Sequence, residues 1–319
     1  MTQEGEDIEL LAEVAGLYYE KNYNQDQIAR IVGTSRSGVS RLLTRARELG
    51  LVDIHVRHQI PASPVLGDEL IKQFGLLDAH VLLRSGSSDL MAANAGERAA
   101  SYLERYIQRS QKMERPVQTV GVSWGKTVLE LIRALRPRHR LLLDVVQMMG
   151  SVDLTKMFEV DASELTRRFA DAYGARCHYL RAPLFVGSRL VRNGLLKESS
   201  LRRAFQLMKR LDVALVGIGG LNDGAPSLFH TPYLKEHQDV VRLLLEQRAA
   251  GDICGNYFTL AGKPCATDML DRLVAISLEV LYEVPLVIGL AVGEARAPAV
   301  LGALRTGVVK VLVTDELCA

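Results

Sequence analysis

Apolar residues recur at helical spacing from the beginning of the chain, where Ile8, Leu11, Ala12, Ala15, Tyr18 and Tyr19 predict a helix over 8–19. The stretch 25–44, QDQIARIVGTSRSGVSRLLT, predicts two more helices joined by a tight turn. Ala29, Gly33 and Val39 fall where such a unit needs a small residue between crossing helices, a glycine in the turn and a β-branched residue clamping the second helix. Ser35 is placed to cap that second helix, and Val39, Leu42, Leu43, Ala46 and Leu49 form the stripe expected to pack inward. After Gly50 the period changes. Over 51–58, LVDIHVRH, Val52, Ile54 and Val56 alternate with polar residues, predicting a strand and hence a winged helix-turn-helix.

Beyond QIPASPVL at 59–66, a proline-containing stretch expected to be a linker, predicted strands alternate with predicted helices. The strands fall at 79–83, 119–123, 141–148, 177–180, 213–218, 286–291 and 308–314, and the helices at 90–107, 127–135, 164–172, 196–211, 233–249 and 297–304. This alternation predicts an α/β domain with a mainly parallel sheet. The expected organisation is a helix-turn-helix domain at 1–58, the linker, and a second domain at 67–319.

Composition changes this picture little: 319 residues, 39 Lys+Arg against 37 Asp+Glu and 48% hydrophobic residues suit about two globular domains. The local charge is more telling. Residues 30–47 hold five arginines and no acid, and a compact basic face on a nearly neutral protein points to site-directed binding of double-stranded DNA rather than a general polyanion coat. Gln25, Ser35, Arg36, Ser37, Ser40, Arg41 and Arg45 are the candidate contacts to base edges and phosphates in a major groove. Arg57 and His58, at the tip of the wing, are candidates for backbone phosphate. The acidic start MTQEGEDIELL lacks the regions of a secretory signal, and VPLVIGLAV is about half the length needed to cross a bilayer, so a cytoplasmic location without membrane contact is expected. Cys177, Cys254, Cys265 and Cys318 are scattered, with no CxxC pair, so reduced thiols are expected and neither a metal site nor a cofactor.

The candidate binding chemistry lies where predicted strands of the second domain end. Ligands of open parallel sheets sit beyond the carboxyl ends of the strands, where glycines let backbone N–H groups approach an anion. Strand 119–123 runs into Trp124-Gly125-Lys126-Thr127 and a helix, offering amides, a helix amino terminus, an ammonium and two hydroxyls, a set suited to phosphate. The spacing is not that of a nucleotide-hydrolysing loop. Gly219-Gly220 follow another strand, Gly293, Glu294 and Arg296 a third, and Asp252 stands between glycines in GDICGNYF, where an acid can hold sugar hydroxyls. Catalysis would need a positioned acid and base. Asp252 and Glu294, with His230 or His237, are the candidates, but no histidine falls in the glycine loops.

Taken together, QDQIARIVGTSRSGVSRLL, GVSWGKTV, VALVGIGG, GDICGNYF and VIGLAVGEARAPAVLGALRTGVVKVLVTDE, in this order and spacing, resemble the SorC family of bacterial transcription regulators, and the resemblance covers nearly the whole length. It implies a DNA-binding domain followed by a domain similar to sugar-phosphate isomerases and deaminases, which senses a phosphorylated sugar or polyol, and assembly into homodimers or homotetramers. It also implies a phosphate-loop role for Gly121, Ser123, Gly125, Lys126 and Thr127, a hydroxyl-binding role for Asp252 and a late basic contact at Arg296. Val292 stands where relatives have glycine, and Arg296 where they have lysine. The expected function is therefore non-enzymatic control of a carbohydrate or polyol catabolic operon. The alternative is an active sugar-phosphate isomerase or deaminase carrying a DNA-binding module.

Overall fold

The computed structural model describes residues 3–52, 60–137, 139–152, 160–221, 234, 237–265 and 269–319. The chain forms two compact units, 1–59 and 60–319.

In the first unit, α1 (Gln3–Ala15) continues into a π-helical turn, Gly16–Glu20, which together cover the predicted first helix. α2 (Gln25–Ile31) opens with a capping box in which Asn24 Oδ1 accepts from the Gln27 amide and Gln27 Oε1 from the Asn24 amide, each at 2.9 Å. The turn that follows places Gly33 at φ +70°, a conformation in which a Cβ is strained. α3 (Arg36–Glu48) is capped by Ser35, whose Oγ accepts from the Gly38 amide at 3.1 Å. Val14, Ile28, Ala29, Val39 and Leu43 make one apolar cluster, and Leu11, Ala15 and Ala46 a second. Leu49 departs from expectation. It lies beyond the last turn of α3, where the chain leaves helical geometry, and is 47% exposed. Most of the predicted wing, with Arg57 and His58, lies outside the described residues.

The second unit begins earlier than the linker reading implies. Ile60 packs on its core, Ala62 forms an antiparallel bridge with Leu82, and Pro64 opens α4 (Pro64–Phe74) behind a Ser63 cap. Proline at the first helical position presets φ and gives up an amide that would have no partner there, so the residue that looked like a break starts a helix. Then come β1 (Asp78–Leu82), α5 (Ser88–Ser110), β2 (Thr119–Val122), α6 (Lys126–Arg133), β3 (Asp144–Gln147), α7 (Ala162–Tyr173) and β4 (Arg176–His178). They are followed by α8 (Arg189–Leu195), α9 (Ser199–Met208), β5 (Val213–Gly217), β6 (Gly219–Gly220), α10 (Gln238–Glu246), β7 (Ala249–Ile253) and β8 (Asn256–Thr259). The last elements are α11 (Leu278–Tyr282), β9 (Leu286–Leu290), α12 (Ala297–Arg305) and β10 (Val311–Asp315).

Seven strands form a wholly parallel sheet in the order β1-β10-β9-β5-β2-β3-β4. Its central strands are apolar throughout because both faces are covered. One face packs on α5, α6 and α7 through residues such as Ala95, Leu103, Leu131 and Phe169. The opposite face packs on α4, α9, α12 and a small sheet, through Leu70, Met208, Val300 and Phe258.

That small sheet is a difference from expectation. The helix predicted over 233–249 has given way by Ala249 to β7, which pairs antiparallel with both β6 and β8. Gly251 explains why a strand fits here. A Cβ at this position would stand 2.5 Å from Gly219 O and 2.5 Å from Ala299 Cβ, so glycine allows the strand to lie close to α12. From β2 the chain moves outward to β3 and β4, then returns to the other side of β2 with β5 and proceeds to β9 and β10. The direction of winding therefore reverses between β2 and β5, and a crevice opens beyond their carboxyl ends.

Candidate functional site

The crevice is built from the ends of β2, β5 and β9. Ser123, just past β2, is 1% exposed, and its Oγ accepts from the Gly217 amide at 3.3 Å, tying the end of β2 to the end of β5. Gly125 takes φ +118° and donates its N–H to Val160 O at 3.1 Å, which turns the chain directly into α6. No side chain caps α6. Its first amides and the positive end of its dipole thus face a cleft lined by Gly125, Lys126 and Thr127, by Gly217 and Gly219, and by Arg296.

Opposite α6, the pairing of Gly219 with Asp252 across β6 and β7 brings the acid beside the cleft. Asp252 is 2% exposed and accepts from the Gly255 amide at 3.0 Å. Burial pushes its pKa up to about 6, against the pull of that amide and of Arg296. Arg296 donates from Nη1 to Ile218 O at 3.2 Å; burial draws its pKa below the usual guanidinium value, with Cys318 and Asp252 opposing. A helix amino terminus, Lys126 and Arg296 therefore share one crevice, with a desolvated acid buried beside it.

Other predicted residues have different roles. Gly121 lies within β2, and a Cβ there would meet Met148 Sδ at 2.5 Å and Leu211 Cδ1 at 2.8 Å; it is a packing position and does not face the cleft. The Thr127 hydroxyl is buried and directed at Leu290 O, 3.5 Å away. Lys126 forms an ion pair with Asp89 of α5. Gly220 sits in β6 with Ala295 O and Arg296 Cγ just beyond it. The Gly293 amide donates to both carboxylate oxygens of Asp315, at 3.1 and 3.0 Å, and so is not open to an anion. Glu294 is exposed on a 3₁₀ turn, Glu294–Arg296. His230 lies outside the described residues, and His237 precedes α10.

Three organising residues were missed. Asp315 also accepts from the Cys318 amide at 3.1 Å and orders the loop after β9. Asn256 Nδ2 reaches Ile253 O at 3.0 Å and Ile276 O at 2.9 Å, holding the turn in which Cys254 takes φ +53°. The third is Asp89. A signal existed for Asp315, which is an acid at the carboxyl end of a predicted strand.

The first unit offers a second candidate surface. With Gly38, Val39, Leu43 and Ala46 turned inward, α3 leaves Arg36, Ser37, Ser40 and Arg41 exposed. Ser35 is occupied as the cap, with Ser37 Oγ 2.9 Å from its Oγ. Arg45 pairs with Glu48 at 3.2 Å, both exposed, and Gln25 is half-buried at the start of α2. Arg36 and Arg41 are cations suited to phosphate oxygens and guanine edges.

Comparison with known proteins shows the family. Residues 60–319 match the family described as "Putative sugar-binding domain". The chain is 31% identical over 320 residues to the sorbitol operon regulator of Klebsiella pneumoniae, a match that covers 98% of this chain and 97% of that one. The chain belongs to the SorC family of sugar-responsive bacterial transcription regulators. The crystal structure of full-length SorC from Klebsiella pneumoniae, 30% identical, has the same fold at a TM-score of 0.69, covering 98% of this chain and 97% of that one. A further relative, the deoxyribonucleoside regulator of Bacillus subtilis (strain 168), is 31% identical over 308 residues, 97% of this chain and 95% of its own. These SorC-family relatives are transcription regulators, and effector-controlled transcription regulation is the function of this chain too. No helix among its described residues is long and apolar enough to cross a membrane.

Proposed function

We propose that this SorC-family regulator binds a phosphorylated sugar or polyol in the crevice between β2 and β5, and that occupancy sets the affinity of α3 for the operator of a carbohydrate or polyol catabolic operon. One observation carries this reading: the uncapped start of α6, Lys126 and Arg296 line one cleft, and the buried Asp252 is paired in register with Gly219 at its wall. The α6 amides and Lys126 suit a phosphate, Arg296 adds positive charge, and the Asp252 carboxylate accepts from sugar hydroxyls. The relatives named for the sorbitol operon and for deoxyribonucleosides support a polyol or a sugar-containing compound as the ligand. Residues 1–58 are the DNA-binding part and the chain from 60 onward the sensor. Because operators read by helix-turn-helix proteins are paired half-sites, the functional unit is a two-fold homodimer or homotetramer. The regulator acts by binding and release, without turnover of the sugar.

The test begins with a thermal-shift screen of phosphorylated and unphosphorylated sugars and polyols. A ligand at a hundred times its dissociation constant stabilises the folded state by about 2.7 kcal/mol, which is easily detected. Only phosphorylated compounds are expected to score. Asp252→Ala should then remove effector binding in calorimetry while the free protein holds operator DNA as before, since a ligand shifts the DNA-binding equilibrium only through contacts that differ between the two states. Effector binding untouched by both Asp252→Ala and Arg296→Ala would place the site elsewhere.

A further inference from the structure

The ammonium in the cleft already has a partner. Lys126 Nζ pairs with the carboxylate of Asp89, which sits in the first turn of α5. The two groups come from different helices, and packing holds those helices in register. At Gly96 in α5, a Cβ would stand 2.4 Å from Glu130 C and 2.6 Å from Leu131 N, so the backbones of α5 and α6 are nearly in contact. Ser87 caps α5 by accepting from the Leu90 amide at 3.3 Å, whereas α6 has no side-chain cap. Two helix amino termini therefore lie side by side, with one acid and one base between them. Asp89 suits the positive end of its own helix dipole, and Lys126 opposes its own. Anionic charge is thus in demand at α6, and Asp89 supplies it from the neighbouring helix.

We propose that Asp89 is an internal counter-ion that competes with the effector's phosphate for Lys126, and so sets the effector concentration to which the regulator responds. This rests on the proposed placement of the phosphate at the start of α6. A phosphomonoester brings between one and two negative charges to a group that Asp89 already neutralises. Lys126 is able to exchange partners, since its side chain is a flexible stem that is 40% exposed. The Asp89 side chain is 78% exposed, so losing the ammonium returns it to water at little desolvation cost. An exposed ion pair of this kind is weak and salt-sensitive. Asp89 accordingly tunes the response and does not block it. A neutral sugar makes no demand on Lys126 and is indifferent to Asp89, so the residue acts on the phosphate alone.

The experiment is calorimetric titration of the full-length protein with inorganic phosphate at low and at physiological ionic strength. The proteins compared are wild type, Asp89→Asn, Asp89→Glu, Lys126→Ala and the Asp89→Asn/Lys126→Ala double variant. Asp89→Asn is expected to bind phosphate about three- to tenfold more tightly than wild type, with the gain shrinking as salt rises. Asp89→Glu, which keeps the charge, should stay within about twofold of wild type, and the double variant should bind no better than Lys126→Ala alone. Wild-type binding that depends on Lys126 but is unchanged or weakened by Asp89→Asn would overturn the proposal while leaving the phosphate site in place. Phosphate binding that is absent, or indifferent to Lys126→Ala, would overturn the phosphate site itself, and the role of Asp89 with it.

Discussion

Asp252→Asn is expected to make the sensor unit more stable and at the same time deaf to its effector. The carboxyl is 2% exposed, and its pKa of about 6 stands against an ordinary value of 3.8. A folded-state pKa raised above the unfolded value means that the folded chain holds this proton more tightly. The site therefore costs nothing below about pH 4, the cost grows as the pH rises through 4 to 6, and above that it is constant. At about 1.4 kcal/mol for each tenfold difference in proton affinity, the full cost is about 3 kcal/mol. Asparagine keeps an oxygen for the Gly255 amide but places an N–H₂ near Arg296, which takes back about 1 kcal/mol. A net gain of about 1–3 kcal/mol at pH 7.5 corresponds to a rise of about 3–10 °C in the melting temperature of a unit this size. The chain has a single tryptophan, Trp124, and it lies in the sensor unit, so its fluorescence follows the melting of that unit alone. Melting curves for both proteins between pH 4 and 8 check the sign as well as the size. A variant no more stable than wild type at pH 7.5, or a difference that does not grow between pH 4 and 6, would refute the reasoning.

Replacing Arg36 and Arg41 together with alanine should weaken operator binding by about 1–3 kcal/mol for each arginine that makes a bidentate base contact, and unchanged binding in a mobility-shift titration would remove α3 from the interface. Gly96→Val should force the backbones of α5 and α6 apart and lower stability by at least about 1–3 kcal/mol, seen as an earlier fluorescence transition of Trp124. Light scattering should report a dimer or tetramer at DNA-binding concentrations; a monomer that holds a single half-site at full affinity would contradict this.

The helix-turn-helix was legible because each of its special positions has a local cause. Gly33 must take a positive φ, Ser35 must cap, and Ala29 and Val39 must pack, and none of this needs distant contacts. The parallel strands were legible from their apolar runs, since both faces of the sheet are covered. The small sheet was not, because β6 is two glycines and β7 owes its place to Gly219 O and Ala299, far away in sequence. The same limit applies within the site. Asp252 and Arg296 were identifiable as candidates by their charges between glycines, whereas the partners that define Lys126 and Gly293, namely Asp89 and Asp315, come from residues 37 and 22 positions away. Gly121 shows the reverse error. Its place in a glycine-rich motif resembled a backbone approach to phosphate, but the space it leaves is filled by Met148 and Leu211.

The sheet order has a consequence for how the protein is made. β1, the first strand among the described residues, lies at the edge of the sheet beside β10, with Asp78 paired to Val311 and Leu82 to Asp315. On the ribosome, the side of β1 that pairs with β10 stays open until the end of the chain emerges, while its other side already meets the segment 61–63, where the Ser63 amide donates to Val81 O at 2.8 Å. The helices of the first unit, by contrast, close their contacts within the first fifty residues, and such local structure forms quickly once exposed. A nascent chain thus carries a finished DNA reader for the whole time its sensor is being built, at about 5–20 residues per second. Premature termination near the carboxyl end would leave β1 without β10, yielding a chain with an intact reader and an incomplete sensor.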